Sequence, residues 1–302
     1  MKSIPLARTH NKKQYTGLLY ISPWILGFLV FQLYPFASSF VYSFTDYNIT
    51  ASPVFVGFKN YIEAFTNDGQ FLSSLKVTLG YVFMAVPMKL AFALIVAMIL
   101  NISIKYVNFF RTVYYLPSIL GGSVAVAVLW KFLFANDGLV NQILGFAKIP
   151  AIEWLTSPNI ALFTISLLTV WQFGSSMVLF LAGLKQIPQE LYEAGKMDGA
   201  SKLRMFFTIT IPLLTPIIFF NLIMQMVNAF QDFTGAFVIT NGGPMKSTYL
   251  FAMKLYDEGF LFFKMGYASA LSWVLFIIIL IFTALTFKSS SSWTHYEDGG
   301  DF

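Results

Sequence analysis

The chain has no cysteine and only two histidines, His10 and His295, near opposite ends of its 302 residues. Disulfides, thiolate nucleophiles and cysteine-ligated metals are therefore excluded. Two histidines so far apart in sequence offer no metal-ligand or general-base spacing. Charge is scarce too: Asp, Glu, Lys and Arg make up 11% of the chain, against about 25% in an ordinary soluble domain. No G-x-x-x-x-G-K-[ST] phosphate loop occurs, so the chain carries no P-loop nucleotide site of its own. Neither paired acids nor a nucleophile–base set supports an enzyme. Apolar residues dominate instead, at 57% hydrophobic with a mean hydropathy of +0.69. This is the composition of an integral membrane protein. The net charge of +5 reports membrane orientation rather than a nucleic-acid partner.

About twenty apolar residues cross a hydrocarbon core. Six runs qualify: Leu18–Phe44, Leu72–Leu100, Phe109–Phe134, Ile160–Leu184, Phe206–Asn228 and Tyr267–Phe287. Lipid cannot satisfy an open backbone, so each is expected to be helical. The expected fold class is an all-α membrane protein with six transmembrane helices. The first run follows Arg8, Lys12 and Lys13 but exceeds the roughly 7–15 residues of a signal core, and it reads as an uncleaved signal anchor. Lysine and arginine concentrate in the tails, around Lys105 and Arg111, and in 185–205, which predicts both termini in the cytoplasm. The expected organisation is a tail over 1–16, a membrane domain over 17–287 with a cytoplasmic loop at 185–205, and a tail over 288–302. The apolar stretch 233–240 is either a re-entrant or interfacial piece continuing from the fifth helix or a simple outer loop.

Within the spans, polar residues are expensive and therefore informative. They are Ser118, Gly121, Gly122 and Ser123 in the third run; Thr169, Trp171, Gln172, Phe173, Ser175 and Ser176 in the fourth; and Asn228, Phe230, Gln231 and Asp232 at the end of the fifth. Such groups, with aromatic faces, suit a hydroxyl-rich ligand; they also bond helices together. Trp171 reads as packing and Asn241–Pro244 as a turn. Lys76 can snorkel, whereas Lys89 lies deep enough to be a functional candidate or to face a partner.

The loop between the fourth and fifth runs contains Glu190, Glu193, Lys196, Asp198, Lys202 and Arg204. Pro188 suits a first helical position, the acids suit an N-terminal half, and Gly199 suits a left-handed stop. Ser201 can cap a second helix running into the membrane, which Pro212 and Pro216 should bend or locally unwind. Glu193-Ala194-Gly195, then Gly199, then Ile209-Thr210-Ile211-Pro212 resembles the EAA motif of binding-protein-dependent ABC importer permeases, with matching spacing. Gly195 replaces an alanine there, which implies a looser helix by about 1 kcal/mol. The segments "FVGFKNYIEAF", "FFRTVYYLPSIL", "VLWKFLFANDGLVNQIL", "VWQFG" and "TNGGPMKST" extend the similarity to the carbohydrate branch over roughly 15–287.

The resemblance implies a type I ABC importer permease that moves a sugar or oligosaccharide. Its implied partners are a second permease subunit, two ATPase subunits carrying ATP and Mg, and an extracellular or periplasmic solute-binding protein. No cofactor is expected in this chain, and its implied place is a bacterial-type inner membrane. The ATPase-coupling residues would be Glu190, Glu193, Ala194, Gly195, Asp198, Gly199, Ala200 and Arg204. The substrate pathway would include Ser118, Gly122, Thr169, Gln172, Phe173, Ser176, Asn228, Gln231 and Asp232. Gln172, Phe173, Ser176, Ala229 and Asp232 fall on sugar-contacting positions of the maltose importer's larger permease. Ala229 and Asp232 replace asparagines there, which implies a substrate other than maltose. An ion-coupled sugar carrier is the alternative; Asp232 is the one acid near the spans that could serve it.

Overall fold

The computed structural model describes residues 11–102, 105–290 and 292–294. The expectations for 1–10 and 295–302, both histidines included, fall outside the described residues. Helix α1 (Asn11–Phe28) passes through a wide π-turn into α2 (Tyr34–Ser43). A hairpin of β1 (Thr45–Asp46) and β2 (Val54–Phe55) leads to α3 (Lys59–Thr66) and the long α4 (Gly69–Asn101). Then come α5 (Val107–Leu120), α6 (Val124–Leu133), α7 (Leu139–Phe146), α8 (Ala161–Trp171) and α9 (Gly174–Gln186). The short α10 (Gln189–Met197) and α11 (Lys202–Met205) precede a second π-turn and α12 (Ile211–Phe230). The chain closes with α13 (Thr234–Ile239), α14 (Phe251–Tyr256) and α15 (Met265–Ser290).

Among the described residues, four helical stretches are long and apolar enough to cross a membrane: Leu19–Ser43, Gly69–Asn101, Lys202–Phe230 and Met265–Ser290. The third and fourth apolar runs differ from the continuous helices expected of them. Each is a bent pair, α5 with α6 at 103° and α8 with α9 at 50°, so six spans are reached by counting each pair as one. The helix from Asn11 also begins inside the expected tail. Beside the prolines the fifth span departs from a regular α-helix: the π-turn Phe206–Thr210 directly precedes Pro212, which occupies the first turn of α12, and Pro216 lies inside that helix.

The chain divides into two compact units, Met1–Ala64 with Glu258–Trp273, and Phe65–Asp257 with Val274–Phe302. In the first, Trp273 packs on Phe36 and Phe40 with ring centroids 4.7 Å from each, and its Nε1 donates to Ser39. The Asn60 amide donates to the carbonyls of Ser43 and Thr45 at 2.9 Å, fastening α3 under the hairpin.

In the second unit α4 is the axis, packed on α8, α9 and α12. Its buried residues Thr78, Tyr81, Val82, Ala85, Val86, Lys89, Leu90, Ala93 and Ala97 recur every three or four positions and form one helical stripe. Alanines at 85, 93 and 97 are fully buried, the small-residue device by which membrane helices approach closely. Asp68 caps α4 through Oδ1, accepting from the N–H groups of Gln70 and Phe71, while Oδ2 pairs with Lys254 at 2.6 Å. Lys254 is 2% exposed and Asp68 13% exposed. Removing one partner of a buried ion pair leaves the other uncompensated, at about 3–5 kcal/mol. Lys254→Met should therefore sharply lower the thermal stability of the purified complex, and adding Asp68→Asn should return part of the loss.

Candidate functional site

The two bends meet each other. Ser118 Oγ, near the end of α5, donates to the Gln172 carbonyl at 3.0 Å and accepts from the Ser175 N–H at 3.0 Å. Gln172 Nε2 donates to the Gly121 carbonyl at 3.1 Å. Backbone groups freed where each helix breaks are thus satisfied by the other pair. The crossing is close: a Cβ on Gly174 would lie 2.6 Å from the Tyr114 carbonyl oxygen, and one on Gly121 would meet the Gln172 side chain at 2.5 Å.

Beside this junction lies a cavity of about 300 Å³. Ser118, Gly121, Gly122 and Ser123 line it from the α5–α6 break, and Thr169, Gln172 and Ser175 from the α8–α9 break. Gln225, Asn228 and Asp232 come from the end of α12, and Tyr81 and Lys89 from α4. The fully buried Tyr81 donates to Asp232 Oδ2, and its hydroxyl lies 2.6 Å from Thr169 Oγ1. Asp232 also lies against the start of α13, where a Cβ on Gly235 would be 3.8 Å from its Oδ2. That short helix is the stretch 233–240; it packs on α6 and α8 with Ala236 and Ile239 buried, so it is not a simple exposed loop. Asn241–Pro244 forms a turn, with Asn241 and Gly242 at positive φ and Thr248 Oγ1 donating to the Gly243 carbonyl.

Of the pathway candidates, Ser118, Gly122, Thr169, Gln172, Asn228 and Asp232 share this wall, and Phe173, Ser176 and Gln231 do not. The α8–α9 bend turns Phe173 against Phe92 and Tyr114. It also buries Ser176, whose hydroxyl has no partner among the described residues. Gln231, past the end of α12, faces outward. Trp171 packs with Trp130, Ala127 and Leu168, as the packing reading expects.

Helix α10 has no buried residue. Leu191 is exposed, and Met197 is 90% exposed. Pro188 is the N-cap residue, one position before the helix rather than its first member. The helix ends in a Schellman motif: Gly199, at φ +73°, donates to the Lys196 carbonyl and Ala200 donates to that of Gly195. Ser201 Oγ then accepts from the Arg204 N–H and caps α11. Glu190, Glu193, Ala194, Asp198 and Arg204 are exposed; Gly195 and Ala200 are half-buried. Gly195 does not loosen α10 through empty space. A Cβ there would touch Met205 Sδ at 3.3 Å and Ile209 at 3.4 Å, so glycine lets α10 sit close to the start of the fifth span. The Tyr192 and Thr210 hydroxyls bond at 2.9 Å and hold the same contact.

Residues 61–291 match the family described as "binding-protein-dependent transport system inner membrane component". The chain belongs to this family. The permease is 48% identical over 294 residues to the probable ABC transporter permease protein YesP of Bacillus subtilis, covering 96% of this chain and 95% of that one. It is 31% identical to the arabinooligosaccharides transport system permease protein AraP of the same organism, over 93% and 90% of the two chains. Its fold matches a chain of the crystal structure of a bacterial ABC transporter involved in the import of the acidic polysaccharide alginate. The TM-score is 0.81 at 21% identity, over 94% of this chain and 98% of that one. The permease is thus a multi-pass transport subunit with the type I importer fold, not an enzyme. Among the described residues no group of three His, Asp or Glu could hold a metal.

Sequence reasoning missed four polar or backbone contributors to the permease cavity: Tyr81, Gln225, Thr234 and Gly235. A tyrosine in an apolar run reads as packing. The available signal was position: Tyr81 and Lys89 are eight residues apart and so share a helical face. Thr234 and Gly235 enter because α13 turns inward.

Proposed function

We propose that the permease carries a sugar or oligosaccharide across a bacterial-type inner membrane through the cavity at the paired helix breaks. The observation that carries this is the wall itself, where hydroxyls of Ser118, Ser123 and Thr169 and amides of Gln172, Gln225 and Asn228 converge in an otherwise apolar bundle. Convergent polar groups in a pre-formed cavity suit a hydroxyl-rich solute. The arabinooligosaccharide permease among the relatives supports the same class. A binding protein delivers the solute from outside, a second permease completes the pathway, and two ATPase subunits hold ATP and Mg. Helix α10 and the Gly199 corner dock on an ATPase through Glu190, Glu193 and Ala194, with Asp198 and Arg204 alongside. Both termini lie in the cytoplasm, as the lysine and arginine distribution supports. The comparisons give no support to an ion-coupled carrier.

Reconstitution of the assembled transporter in proteoliposomes tests this reading. Uptake of labelled arabino-oligosaccharides and of a wider glycan panel should require ATP and survive collapse of proton and sodium gradients. Asp232→Leu should lower uptake about tenfold, the cost of about 1–3 kcal/mol for an unpaired buried polar group, with the ATPase still attached. Because Asp232 also braces Tyr81 and α13, the melting temperature of the complex is measured alongside. Uptake driven by an ion gradient without ATP would overturn the proposal.

A further inference from the structure

The cavity wall carries two charged groups, Lys89 and Asp232. They are not equally satisfied. Asp232 accepts from the Tyr81 hydroxyl and lies against the start of α13. Lys89 is 7% exposed, and among the described residues no carboxylate lies within 4.0 Å of its ammonium. It sits eight residues along α4 from Tyr81, on the same buried stripe, with the fully buried Ala85 between them. A side chain that merely snorkelled would place its ammonium at a membrane surface. This one ends at a cavity where the one acid among the described wall residues, Asp232, lies beyond ion-pair distance and the other polar groups are neutral, so a cation there is costly unless something pairs with it closely.

A close partner can come from the solute. We infer that the transported saccharide bears a carboxylate, as a hexuronic acid does, and that Lys89 pairs with it in transit. The inference rests on the saccharide-permease reading and deepens it. The charges on the wall favour a singly charged acid over a sugar phosphate. One ammonium neutralises one carboxylate, whereas a phosphate monoester would bring a second negative charge that no other cation among the described wall residues meets. The hydroxyl and amide groups that flank Lys89 remain available for the neutral hydroxyls of the ring. Pairing with a mobile ligand also differs from pairing with a fixed residue: the ion pair forms and dissolves in each cycle, so the site need not hold a permanent salt bridge.

The test uses the assembled transporter with its binding protein in proteoliposomes. The probes are digalacturonate, diglucuronate and dimannuronate, each alongside its carboxyl-reduced, neutral counterpart. At least one uronide should enter with ATP at a rate above that of its neutral counterpart. Lys89→Met should cut uronide uptake at least tenfold while leaving the neutral counterpart's uptake equal or higher, and Lys89→Arg should keep the uronide preference. That change in charge selectivity is a readout that a purely structural lysine would not move, and the binding protein, being a separate chain, is the same in every arm. Transport of neutral saccharides with none of the uronides would overturn this inference and leave the saccharide reading standing. So would a Lys89→Met complex that loses both kinds equally, or one that carries uronides at the wild-type rate. Failure of every saccharide, acidic and neutral, to enter with ATP would overturn both.

Discussion

Gly199→Val is expected to abolish ATP-driven uptake without unfolding the membrane bundle. Residue 199 holds φ +73° and donates one of the two hydrogen bonds of the Schellman motif at the end of α10, with Ala200 donating the other. A left-handed conformation costs an ordinary residue about 1–2 kcal/mol, and a β-branched residue is a genuine outlier there. Space is not the obstacle, because a Cβ at 199 would meet nothing within 4 Å. The strain is therefore purely conformational, and the chain can relieve it by opening the corner. Among the described residues, only the Tyr192–Thr210 hydroxyl bond and the half-buried Gly195 contact hold α10 against this, since none of its residues is fully buried. Its axis would swing, displacing Glu193, Ala194 and Met197 together from a docked ATPase. Gly199→Asn should keep most of the uptake, since asparagine tolerates positive φ. The measurements are uptake, co-purification of the ATPase and the yield of folded complex. Wild-type uptake by Gly199→Val would remove the corner from the coupling path.

Gly174→Val should act at an earlier stage and prevent the protein from accumulating. The Cβ alone would sit 2.6 Å from the Tyr114 carbonyl oxygen and 2.8 Å from both Tyr115 Cα and Ser118 Oγ. Two of these neighbours are backbone and cannot rotate away. Overpacking of this kind costs about 1–3 kcal/mol and more where backbone must move. Pushing α5 away would also break the Ser118 bonds to Gln172 and Ser175, leaving groups in both helix breaks unpaired. Gly122→Ala is the control. Nothing lies within 4 Å of its added carbon, so the complex should form normally, although Gly122 borders the cavity and transport can respond. Equal yields of Gly174→Val and Gly122→Ala in membranes would refute the close crossing.

Much of this could be read from the chain because it depends on near neighbours. The apolar runs follow from residue composition within about twenty positions. The Gly199 corner follows from bonds that span three and five residues, and the Ser201 cap from a bond that spans three. Even there, one position was misjudged: Pro188 stands at the cap instead of inside α10, since fixing φ near −65° suits either place. Gly195 shows the limit more clearly. Helix propensity makes it a weakness, yet its neighbours Met205 and Ile209 come from beyond the corner and make the missing side chain a condition of close packing.

What the sequence by itself determined is that this chain lives in a membrane, how many times its apolar runs can cross, and where a charged elbow interrupts them. The tertiary structure alone decided which polar groups face one another. In lipid both the buried and the exposed faces of a helix are apolar, so hydropathy cannot say which stripe of α4 turns inward. Tyr81 meets Asp232 across 151 positions and Ser118 meets Gln172 across 54, and no local rule connects such pairs. The bends in the third and fourth runs belong to the same class. A run with Gly121 and Gly122 can remain a helix or break, and the choice is made by the partner that satisfies the freed backbone. Here the partner is the other broken helix, and the cavity with Lys89 on its wall exists because the two breaks coincide.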